Sequence, residues 1–165
     1  MNTLDTLKKR RSCRVFNTKG IAGDTIVELI DCARLAPSAR NVQPWEFVAI
    51  TKRETLQKLG GMAENCRFLA DCTCCIAVFC QDTKYYLEDG CAATENILLA
   101  AADLGLATCW VAGDKKEYCR DVCKLLDAPS DMKLVSLIAV GYSTAIPESG
   151  PPKRHVKEVL HWEKF

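Results

Sequence analysis

The sequence is short of net charge, of histidine and of long apolar runs. Its 22 Lys and Arg residues stand against 21 Asp and Glu, leaving +1, so no global field recruits nucleic acid or an acidic membrane. No apolar stretch approaches the roughly 18 residues of a membrane span. The N-terminus, MNTLDTLKKRRSCR, carries its basic residues after a short helical pattern, with no apolar signal core and no cleavage site, which argues against secretion. Repeats, low-complexity tracts and Ser/Gly-rich linkers are also missing. The 165 residues therefore read as one domain, 1–165, with 150–165 as a C-terminal arm. Only two histidines occur, His155 and His161, both in that arm and neither in a triad-like setting. Each reads as a surface or interface residue.

Against these shortages stand 48% hydrophobic residues, enough for a real core, and eleven cysteines. An odd number of thiols cannot pair completely within one chain, and without a signal peptide a disulfide scaffold is implausible. The setting expected is a reducing cytoplasm. Cys66, Cys72, Cys74, Cys75 and Cys80 crowd one stretch, so a metal or iron–sulfur reading must be weighed. Cys74, Cys75 and Cys80 fall in an apolar strand pattern, however, and read as small buried hydrophobes. No metal is expected.

Along the chain, residues 3–10 read as a short helix with Leu4 and Leu7 inward. Asp24 is a plausible N-cap for a helix through Leu35, whose Ile26, Leu29, Ile30 and Ala33 follow helical spacing, and Pro37 ends it. Trp45 to Thr51 reads as a strand. Residues 53–59 look helical and stop at Gly60-Gly61, with a short helix up to Leu69. Residues 74–80, 107–111 and 133–140 are further strands, and 115–126 a helix. The longest helix spans 84–104 and closes at Gly105; its second half is small or apolar on nearly every side and must be covered all round. The arm opens with Pro151-Pro152 and carries Trp162 and Phe165, two large aromatics that usually dock on something. The alternation fits an α+β sandwich with helices on both faces of a sheet.

Four segments carry candidate chemistry. Arg10-Arg11-Ser12-Cys13-Arg14 puts three guanidiniums and a hydroxyl within reach of a phosphate, or is a solvated charge run. Ala36 to Trp45 is a loop stiffened by Pro37 and Pro44, with Ser38, Asn41 and Gln43 as neutral donors and acceptors. It suits the edge of a planar heterocycle, or is a rigid connector that satisfies its own backbone. Thr108 to Gly113 is a strand running into a turn, where Ala112 and Gly113 let backbone N–H groups approach a ligand. Lys153-Arg154 is a second basic pair, or an exposed tail charge.

Taken together, these segments resemble the nitroreductase-like FMN-dependent oxidoreductases, over essentially the whole chain, as a short, minimal member. The resemblance implies a three-layer α/β/α sandwich with a mixed or antiparallel central sheet, and a homodimer completed by exchange of the C-terminal arm. Arg10, Arg11, Ser12 and Arg14 match the opening motif for the FMN phosphate and ribityl chain, with Arg14 the candidate for the N1–C2=O locus. Pro37, Ser38, Asn41 and Gln43 would line the isoalloxazine, largely from the other subunit. Asn65 sits where some members contact the ring. Cys109, Trp110, Ala112 and Gly113 match the turn facing flavin N5, with the N–H of Ala112 or Gly113 beside that atom. Arg154 matches a late phosphate-binding arginine, with Lys153 beside it. The implied chemistry is ping-pong hydride transfer from NAD(P)H through FMN to nitroaromatic, quinone or similar electron-poor small molecules. No side-chain catalyst is expected, because the chemistry lies on FMN N5. The alternatives are flavin fragmentation or reductive dehalogenation on the same fold, and a Cys-based metal-binding protein without a flavin role.

Overall fold

A computed structural model describes residues 2–165. Four strands, β1 (Trp45–Ile50), β2 (Cys74–Gln81), β3 (Ala107–Ala112) and β4 (Met132–Gly141), form one sheet in the order β1-β2-β4-β3. Every neighbouring pair is antiparallel. An isolated parallel bridge between Ser12 and Thr108 is added at the β3 edge.

The two central strands are apolar on both sides, as strands buried between layers must be. In β2, Cys74, Ile76, Val78 and Cys80 enter one core while Cys75, Ala77 and Phe79 enter the other. The first core is closed by α2 (Gly23–Arg34) and α4 (Tyr86–Asp103), through Leu29, Ala33, Ile97 and Ala101. The second is closed by α3 (Arg53–Gly61), the 3-10 segment Glu64–Ala70 and α5 (Cys119–Leu125). A register shift at Val78/Phe79 turns both Val135 and Ser136 of β4 toward the α4 layer. There Ser136 meets the Thr94 hydroxyl at 2.8 Å.

Several local expectations are corrected. Ala22, not Asp24, is the N-cap of α2, and Asp24 lies in the first turn, where its charge faces the helix dipole. Helix α3 runs through Gly60 and Gly61 instead of stopping before them. Gly60 is a contact point, since a Cβ there would lie 2.8 Å from the Ala70 Cβ. The 114–118 segment is turn, leaving α5 shorter than its sequence pattern. In α1 (Thr3–Lys9) it is Thr6 that is buried, while Leu4 and Leu7 are 65% and 49% exposed. The end of α4 matches expectation, with Gly105 left-handed at φ 74°. The arm contains one further turn of helix, α6 (Val156–Val159), capped by His155.

Candidate functional site

The open edge of β3 organises the site. In an antiparallel strand the N–H and C=O of one residue point to the same side, and the sides alternate. The Cys13 N–H donates to the Thr108 carbonyl at 2.8 Å, so Thr108 faces away from β4. By alternation Trp110 and Ala112 face the same way. The Gly113 N–H faces inward and donates to the Val135 carbonyl at 3.0 Å, with the Asp114 N–H converging on that oxygen at 3.4 Å. Of the two N–H groups expected beside N5, Gly113 is therefore committed within the sheet and Ala112 faces outward.

The N-terminal basic cluster lies on this same edge, about 13 Å from Ala112 at the usual strand rise. Ser12 bridges Thr108, and Cys13 is buried behind it. Arg10 is held to α4 through Glu95, 3.8 Å away. Arg14 lies over the Phe68 ring at 5.7 Å and opens onto a cavity of about 640 Å³ shared with Arg53 and three threonines. Among the described residues Arg14 has no carboxylate partner. Arg11 donates to the carbonyls of Lys8 and Arg10 at 2.7 and 2.8 Å, yet its buried Nε has no acceptor among the described residues. Gly150 packs against that guanidinium, so the arm departs from the basic cluster.

The turn after β3 is tied down from below. The Tyr118 hydroxyl donates to the Ala112 carbonyl, and the Cys119 thiol donates to the Gly113 carbonyl. Cys66 packs with Tyr118 in the second core and its thiol donates to the Asn65 side-chain oxygen at 3.8 Å, which joins the Asn65 segment to the same wall. Burial pushes the Tyr118 phenol well above its ordinary value. The thiol of Cys109 turns into the second core, where burial raises it against the opposing pull of Arg14 and Arg10. Trp110 packs on the other face, against the α4 layer.

The 36–45 loop lies elsewhere, over the N-terminal half of α4. Arg40, Asn41 and Gln43 all take positive φ, at 54°, 57° and 51°, a conformation that L side chains resist. The loop is held by the Ala39 N–H donating to Asp89 and the Gln43 N–H donating to the Ser38 hydroxyl, both at 3.0 Å. Ser38 thus serves its own backbone, while Pro37, Asn41 and Gln43 are exposed. Asp89 is buried, and its second oxygen has no partner among the described residues. Lys153 and Arg154 are exposed in the arm, and Arg154 donates to the Glu158 carbonyl within that arm. One chain thus assembles Arg10, Arg11, Ser12, Arg14 and Ala112 along one edge, with the Asn65 segment packed on the core behind it. It leaves the 37–43 loop and the arm basic pair apart from them.

Tyr118, Cys66 and Asp89 were not among the expected site residues. Nothing local marks either Asp89, one of four acids in α4, or Tyr118. Cys72 and Cys75 do stand at x₂ spacing, but Cys75 enters the second core as part of β2 and burial pushes its thiol far up. Among the described residues no three His, Cys, Asp or Glu side chains converge as a metal site.

The donor set fits a phosphorylated planar cofactor. An orphaned guanidinium nitrogen lies in a triply basic segment, and a strand edge beside it ends in an outward N–H. A protein of Archaeoglobus fulgidus, carrying the name NADH dehydrogenase/NAD(P)H nitroreductase, is 34% identical over 147 residues, covering 84% of each chain. The FMN reductase (NADPH) of Bacillus subtilis is 23% identical over 185 residues, covering 98% of this chain and 73% of its own. A crystal structure of a Bacteroides thetaiotaomicron protein, with the same name as the archaeal one, superposes with a TM-score of 0.92 at 27% identity, over 99% of this chain and 98% of that one. The sequence pattern of the nitroreductase family matches residues 7–66 and 81–142, and the chain belongs to that family of oxidoreductases.

Proposed function

We propose that this protein is an FMN-dependent NAD(P)H oxidoreductase that works as a homodimer with two flavin sites. The observation that carries the reading is the β3 edge, where Arg10–Arg14 and the outward Ala112 N–H lie on one line. The chemistry that FMN would supply when bound is hydride transfer from NAD(P)H to an electron-poor acceptor such as a nitroaromatic or a quinone. The chain's own residues hold and tune. Arg10, Arg11 and Arg154 balance the phosphate charge, with Lys153 and Ser12 beside them. Arg14, without a carboxylate partner, places positive charge at the N1–C2=O locus, where reduction deposits negative charge. Ala112 donates its N–H at N5. Pro37, Ser38, Asn41 and Gln43, reaching across from the second subunit with neutral donors, face the ring edge, and Asn65 borders it from the sheet side.

Surface that a lone chain leaves open supports the dimer. The chain exposes 10308 Å², whereas a compact monomer of this size exposes roughly 8,100 Å². The excess carries apolar side chains, including Leu4, Val27 and Leu35 on the first two helices and Val159, Trp162 and Phe165 in the arm. Exchange of that arm covers these residues and brings Arg154 to a basic cluster. The eleven free thiols suit a reducing cytoplasm. Among the described residues no helix is long and apolar enough to cross a membrane.

Purified protein is expected to be yellow, to hold one FMN per subunit, and to bleach anaerobically on addition of NAD(P)H. Steady-state rates against both substrates are expected to give parallel double-reciprocal lines. Colourless protein that ignores added FMN, or carries stoichiometric zinc or iron, would sink the reading.

A further inference from the structure

We propose that Tyr118 is a positioning residue of the flavin site: by occupying the Ala112 carbonyl it leaves the Ala112 N–H as the free group at the end of the β3 edge, and so biases a bound flavin toward its oxidised form. This rests on the flavin reading above. Because N–H and C=O of one strand residue point the same way, Ala112 presents a donor and an acceptor side by side. Flavin N5 is a hydrogen-bond acceptor when oxidised and a donor when reduced. An unoccupied Ala112 carbonyl would therefore welcome the reduced ring, and the N–H the oxidised one.

The Tyr118 hydroxyl disfavours the first option: it takes one lone pair of that carbonyl and, by drawing on the same oxygen, makes the other a weaker acceptor. Its single proton is then committed there, while the Cys66 thiol, packed in the same core, donates to the Asn65 side-chain oxygen at 3.8 Å. The buried Tyr118 side chain thus ties Ala112 to the core that also carries the segment next to Asn65. The neighbouring peptide cannot rotate to compensate, since the Gly113 carbonyl takes the Cys119 thiol and the Gly113 and Asp114 N–H groups both end on Val135. Desolvation keeps the phenol protonated, hence a donor, far into the alkaline range.

The test is potentiometric titration of FMN bound to the full-length protein. Tyr118→Phe keeps the ring in the core and removes the hydroxyl. Its midpoint is expected to rise by about 30 mV, a tenfold gain in preference for reduced over oxidised FMN. Replacing Tyr118 with 3-fluorotyrosine, a stronger donor of the same shape, is expected to lower the midpoint. If the Phe variant does not fold, the fluorinated one decides alone. A midpoint unmoved in either variant, with FMN still bound one per subunit, overturns the role of Tyr118 and spares the flavin reading. Parent protein that binds no FMN overturns both.

Discussion

Gly113 shows how narrow the tolerances are at single positions on the β3 turn. A Cβ at Gly113 would lie 2.7 Å from the Leu134 Cγ and 2.9 Å from the Leu134 carbonyl oxygen. Backbone cannot give way there as a flexible side chain would. Gly113→Ala is expected to destabilise the fold by about 1–3 kcal/mol, read as a lower denaturant midpoint. Gly61 is the control, because nothing lies within 4 Å of its Cβ position and it closes a helix. Gly61→Ala is expected to add about 0.5 kcal/mol through reduced chain entropy. Equal effects at the two sites would mean that close approach to β4 is not why position 113 lacks a side chain. The sequence pattern marked Gly113 as permissive toward a ligand. The structure adds that its N–H is spent on Val135, which leaves Ala112 to face outward.

At the scale of elements, hydrophobic periodicity found all four strands and the long helix, since each has a side chain pattern set by its own core. What it missed depends on partners distant in sequence. Leu4 and Leu7 have helical spacing and still face out, because Thr6 is the residue that meets α4. Gly60 looked like a stop because its neighbour Ala70 lies beyond the next bend. The basic cluster and β3 were both legible, but only the Ser12–Thr108 bridge shows them sharing an edge. The link from Tyr118 to Ala112 had no local trace at all. The arm is the element whose role is most open to test. In one chain Arg154 reaches only its own arm. If exchange delivers it to a partner's basic cluster, Arg154→Ala is expected to weaken FMN binding on the order of tenfold to a hundredfold through lost charge-assisted hydrogen bonds. Fluorescence titration of FMN measures this directly, and unchanged affinity removes Arg154 from the site.

For the whole molecule, the thiols set an alkaline limit. Burial pushes Cys72 up to about 11 and both Cys74 and Cys80 up to about 12, and it raises Cys75 well above its ordinary value. In the unfolded chain these groups lose their protons near 8.5. Between that pH and 11–12 the unfolded state binds fewer protons than the native one, so stability falls as pH rises. The full contribution is present below pH 8.5 and is lost progressively above it, by on the order of 1 kcal/mol per pH unit for each such thiol. Denaturation midpoints measured from pH 7 to 11 are expected to be level at first and then decline steeply. A flat profile would show that these thiols are not held neutral by the core.

The β3 edge has one more consequence, for how the chain behaves at high concentration. Strands with an unpaired row of N–H and C=O groups are templates for other chains, and natural proteins guard such rows. Here the guard is partial: Ser12 and Cys13 cover Thr108, and Tyr118 caps the Ala112 carbonyl, which leaves the stretch around Trp110 to be shielded by whatever docks beside it. The groups that would recognise a cofactor are thus the same groups that would seed aggregation. Flavin supply during synthesis then becomes a question of solubility as well as of catalysis.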